Sequence, residues 1–101
     1  MHEFILSQEQ KAQDKIYEVL EYLREYGFHL PTNYLRRMSG TKALWELRAK
    51  YTSRQYRVFL AKTGDKTIML LHAIIKKTAK TPRQDIDTAD ARLQTYLKGG
   101  V

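Results

Sequence analysis

Three strand-like runs in succession, joined by links too short to hold a helix, constrain this chain more than any other feature. From Lys42 to Tyr51 the residues alternate, with Trp45, Leu47 and Ala49 on one side and Glu46, Arg48 and Lys50 on the other. Gln55 to Lys62 repeats the pattern: Tyr56, Val58 and Leu60 oppose Gln55, Arg57 and Phe59. Gly64-Asp65 is a turn signal, so the second and third runs form a hairpin. Thr67 to Ile75 is almost continuously apolar, which predicts a strand covered on both faces at the centre of the sheet.

Helical patterns flank this block. Between Ser7 and Tyr26, Ala12, Ile16, Val19, Leu20, Leu23 and Tyr26 recur at three- and four-residue steps, the stripe of one amphipathic helix ended by Gly27. A short second helix is expected after Pro31, with Thr32 as cap and Tyr34, Leu35 and Met38 turned inward. Thr81-Pro82-Arg83-Gln84 has the form of a helix start, and Ile86, Ala89, Leu93 and Tyr96 or Leu97 supply the inward stripe. The predicted fold class is α+β: two N-terminal helices, a three- or four-stranded antiparallel sheet and one C-terminal helix, in a single domain over residues 1–101.

Charge is segregated along the chain. From Pro31 to Gln84 there are thirteen Lys and Arg against Glu46 and Asp65, a balance of +11. The first thirty residues carry −3 and the last seventeen −1, which gives the +7 of the whole. Such a directed positive field points to a polyanionic partner. With no cysteine, disulfide and thiolate chemistry are excluded. No apolar run approaches the ~20 residues of a membrane helix, so no membrane partner is expected.

The residues that could carry chemistry lie on the strands and just after them. Arg48 and Arg57 fall on the same face by alternation, and two guanidiniums on a rigid sheet make a phosphate clamp. The plainer reading is two solvated arginines on an open face. Lys42, Lys50, Lys76, Lys80 and Arg83 surround them as nucleic-acid-binding residues, and Lys76-Lys77 leads from the last strand toward the final helix. Glu46 and His72 form a candidate acid/base pair, against the plainer reading of His72 as a core histidine. Tyr51 could stack on a base at the rim. His2 and His29 have no metal-ligand spacing, and neither a metal nor a cofactor is expected.

The ordered set Leu44-Trp45-Glu46-Leu47-Arg48, Tyr56-Arg57-Val58-Phe59 and Leu70 to Pro82, followed by the helix with Ala89, Arg92 and Tyr96, resembles the phage-derived branch of the RelE/HigB-like toxins. The resemblance spans roughly Lys11 to Leu97 and implies a RelE-like fold. It further implies a cytoplasmic toxin of a two-gene toxin–antitoxin system, a metal-independent endoribonuclease that cuts messenger RNA on the ribosome. The implied partners are mRNA, the ribosome and a helix-turn-helix antitoxin. Carried over by position, Arg57 neutralises the phosphorane while Arg48 and Lys77 hold the phosphate or leaving group, so the catalytic set is Arg48, Arg57 and Lys77. Family members usually open with a strand before the first helix; residues 1–6 are too short for one, so a sheet edge is expected to be exposed, open to pairing with a second copy or a partner. Two alternatives stand beside the ribonuclease: a ParE-like toxin of the same fold acting on a protein target, and a nucleic-acid-binding module without catalysis.

Overall fold

A computed structural model describes residues 2–38, 41, 43–76 and 81–99. In chain order it contains α1 (His2–Leu6), α2 (Gln10–Tyr26), a 3-10 turn (Gly27–His29), β1 (Leu35–Arg37), β2 (Trp45–Tyr51), β3 (Arg54–Gly64), β4 (Thr67–Lys76) and α3 (Arg83–Leu97). The strands form one antiparallel sheet in the order β1-β2-β3-β4. The α+β class is as the sequence predicts, with the sheet four-stranded.

The apolar stripe of α2 behaves as its spacing requires. Ala12, Ile16, Val19 and Leu23 are buried against Leu35, Leu47, Tyr56, Val58 and Leu60 on one sheet face. Each large side chain buried there contributes roughly 1.5–3 kcal/mol. Gly27 ends the helix at φ 64°, a conformation that L side chains resist, and its N–H caps the Leu23 carbonyl. Two details differ from expectation. Ser7–Glu9 breaks the N-terminal helix, where the Ser7 hydroxyl turns back onto the Phe4 carbonyl and leaves α1 as a separate turn anchored by buried Ile5. Tyr26, at the end of the stripe, is exposed.

The second face carries a smaller core, with Leu44, Phe59, Ala61 and Leu71 under Ala89 and Leu93 of α3. Two expectations about the sheet are corrected. The segment after Pro31 is not a helix: Leu35–Arg37 is a strand, and Arg36 pairs with Glu46 across β2. β4 is not central but ends the sheet, and β2 and β3 are the strands with neighbours along both edges. Its apolar run serves two helices instead. A register shift beside Phe59 changes the parity of β4, so that Leu71 and His72 both fall toward α3 while Ile68, Leu70, Ala73 and Ile75 meet the α2 side.

Candidate nucleic-acid interface

α3 covers only part of the second face. Beyond it, the register lays out two rows of polar side chains: Arg48 beside Arg57, then Lys50 beside Gln55 and Lys76, with Glu46 and Arg36 adjoining. Strand alternation alone places these groups together.

Glu46 is the centre. It is only 4% exposed, and its Oε1 lies 3.1 Å from Arg48 Nε and 3.0 Å from Arg57 Nε. Its Oε2 accepts a hydrogen bond from the Thr81 hydroxyl at 3.0 Å. Arg57, 6% exposed, donates from Nη1 to the Tyr56 carbonyl at 3.1 Å and from Nη2 to Gln55 Oε1 at 2.7 Å. The Arg57 Nε contact is close in distance but off the N–H direction, so this buried donor has no aligned acceptor.

Burial pulls the Arg57 guanidinium below its ordinary value; Glu46 opposes the shift and Arg48 adds to it. Burial also lowers the Lys76 ammonium, again opposed by Glu46 and reinforced by Arg57, Arg48 and Arg36. Four cations (Arg36, Arg48, Arg57 and Lys76) thus surround one carboxylate, a local balance of +3. A groove of about 520 Å³ opens here, lined by Arg48, Lys50, Gln55 and Arg57 and by Lys15 and Tyr34 where it turns over the edge of β2. Thr52, in the β2–β3 turn, also lines it and holds φ 55°, rare for a β-branched residue.

The remaining candidates divide. Lys50 is exposed at the groove. Arg83 is exposed on the first turn of α3 and paired to Asp87 at 3.0 Å. Lys42, Lys77 and Lys80 lie outside the described residues. Glu46 and His72 share a face but not a contact: Phe59 stands between them in the register, two strand spacings apart or about 10 Å. His72 instead stacks on Phe59 and places Nε2 2.7 Å from Asp85 Oδ1, with Nδ1 3.4 Å from Arg92 Nη1. A donating Arg92 leaves His72 Nδ1 as acceptor and Nε2 as donor, so both ring nitrogens are used in holding α3 to β4. The expected acid/base pair is therefore not assembled. Thr81 also departs from expectation: its hydroxyl reaches Glu46 instead of capping α3. Alternation points to Arg48 and Arg57 and sets Gln55 on their face, whereas Arg36 and Thr81 join the cluster through strand order and tertiary contact.

The family model described as Phage derived protein Gp49-like (DUF891) matches residues 3–94. The chain belongs to this Gp49-like family. The match takes in α2, all four strands and most of α3, so the cation cluster lies wholly within the family's domain. A comparison with curated proteins finds no match. Among the described residues no helix is long and apolar enough to cross a membrane.

Proposed function

We propose that this protein is the toxin of a toxin–antitoxin pair, a metal-independent endoribonuclease that cuts messenger RNA on the ribosome. The reading draws on membership of the Gp49-like family and on the resemblance of the Trp45–Arg48 and Tyr56–Phe59 segments to RelE/HigB-like toxins. The observation that carries it is the net-positive cluster on β2, β3 and β4, where Arg48, Arg57 and Lys76 surround a single carboxylate beside the groove that Arg48 and Arg57 line. Guanidinium and ammonium groups held on a rigid sheet are suited to a phosphodiester whose charge grows in the transition state.

In this mechanism the RNA 2′-hydroxyl gives its proton to water as its oxygen forms a bond to the adjacent phosphorus, the bond to the 5′-oxygen breaks, and a cyclic phosphate is left. Arg48, partly exposed, meets the phosphate, and Arg57 adds its charge from the groove floor. Glu46 positions both arginines. Lys76, whose ammonium yields its proton more readily than an ordinary lysine, protonates the departing 5′-oxygen. Lys77 follows directly in sequence and shares the phosphate-binding role. A helix-turn-helix antitoxin neutralises the protein by laying an acidic segment over the basic groove, and binding of that kind also stabilises the fold.

The test is induced expression with 5′-end mapping of cellular transcripts. New 5′ ends and growth arrest are expected, and both should be lost in Arg48→Ala and Lys76→Met, which leave the buried Arg57 in place. Growth arrest with intact transcripts would select the protein-target reading. Salt-sensitive RNA binding without arrest would select the non-catalytic module, the reading favoured by the engagement of both arginines with Glu46.

A further inference from the structure

β4 closes the sheet on one side. Among the described residues its backbone pairs with β3 alone, leaving a ten-residue edge. Unpaired N–H and C=O groups along such an edge recruit other strands unless they are blocked. Here the middle is blocked: Arg92 of α3 reaches the bulged position and donates from Nη1 to the Leu71 carbonyl at 2.7 Å. The half next to the β3–β4 turn, Thr67 to Leu70, has no such cover among the described residues.

A cleft lies on each side of that open half. The α2 side holds one of about 760 Å³, floored by Leu20, Leu23, Phe28 and Ile68. The α3 side holds one of about 420 Å³, walled by Met69, Leu71, Ala91 and Tyr96. Leu70 borders both. Successive side chains of a strand point to opposite faces, so a strand laid along Thr67–Leu71 would send alternate residues into the two clefts. Lys62 and Lys66 stand at the rim of the larger one, exposed and with no ion pair or hydrogen bond among the described residues.

We propose that this half-edge is a docking site for an extended segment of another protein, apolar at its centre and flanked by acidic residues. Backbone pairing to β4 supplies the register, the clefts take the apolar side chains, and Lys62 and Lys66 take the carboxylates. A second copy fits less well: edge-to-edge pairing would bring Lys62, Lys66 and Lys76 against the same cations, with Asp65 as the acid on this hairpin. The site is independent of the nucleic-acid reading, because it lies at the β3–β4 turn whereas the cation cluster lies toward the opposite end of β3.

The probe is a synthetic peptide with a run of valine, leucine and isoleucine between glutamates. Its controls are the same peptide with lysine flanks and a version N-methylated along one backbone edge. Fluorescence anisotropy reads affinity, and amide hydrogen exchange reads location. The glutamate-flanked peptide should bind and slow exchange within Thr67–Leu71, while N-methylation and the Lys62→Glu/Lys66→Glu double variant each weaken it at least about tenfold (1.4 kcal/mol). The double variant changes exposed charges only, so its fold should survive, and it should prefer the lysine-flanked peptide. Absence of binding, indifference to N-methylation, or protection confined to the Arg48–Arg57 region would overturn the proposal. Concentration-dependent protection of β4 without peptide would also overturn it, by making a second copy the occupant.

Discussion

Replacing Glu46 by Gln separates the two jobs assigned to its carboxylate. Glu46 is 4% exposed and sits 3.0 and 3.1 Å from two guanidinium nitrogens, one belonging to an arginine that is itself 6% exposed. Removing one partner of a buried ion pair costs about 3–5 kcal/mol, because the other charge stays buried without compensation. Glutamine keeps an oxygen for the Thr81 hydroxyl or for one arginine, so the low end, about 3 kcal/mol, is expected. At about 4–8 °C per kcal/mol for a domain of this size, the melting temperature should fall by about 12–24 °C. The same change raises the local balance from +3 to +4. RNA affinity measured below the new melting point should therefore rise at low salt, with a log–log salt slope steeper by about 0.7 for a single strand. Circular-dichroism melting and filter binding across a salt series read the two effects. A melting temperature within about 4 °C of the parent, or an unchanged salt slope, refutes the placement of Glu46 as the buried counter-charge of the groove.

Arg48→Ala should weaken RNA binding for all sequences alike and make the salt slope shallower by about 0.7 per lost phosphate contact, read in the same filter assay. Lys76 is cationic below its folded pKa and neutral above it, and that pKa lies below the ordinary 10.5. RNA affinity should accordingly begin to fall at a pH below 10.5 as the solution is made alkaline, and Lys76→Met should remove that part of the fall. His72→Ala should destabilise the fold by about 1–2 kcal/mol in urea unfolding, since its partners are part-exposed, and should speed amide exchange in α3 more than in α2. Thr52→Gly relieves a positive φ at the β2–β3 turn and should raise stability by about 1 kcal/mol; a lower urea midpoint would show that Thr52 is not strained.

The parts legible in the sequence are those governed by local rules. Period-two alternation placed β2 and β3 and put Arg48 beside Arg57 on one face, and a three-to-four-residue stripe placed α2. β1 is hidden in the sequence because Tyr34, Leu35 and Met38 fit helical spacing and three residues are too few to show alternation; its pairing with β2, Arg36 opposite Glu46, makes it a strand. The edge position of β4 is equally hidden, because an apolar run reports only that both faces are covered, not that both edges are paired. Glu46 and His72 share a face by parity, yet parity says nothing of the Phe59 that strand order sets between them. Thr81 carries the residue type of a helix cap, and a buried carboxylate supplies the acceptor for its hydroxyl.

β3 has a consequence for how the molecule tolerates change. Tyr56, Val58 and Leu60 enter the core beneath α2, while Phe59 and Ala61 enter the one beneath α3, so one backbone segment is the shared wall of two compartments. A crankshaft shift that eases crowding in one compartment must disturb the other. The two halves should therefore melt together in a single transition, and a substitution along this wall should cost more stability than one on the exposed face of either helix.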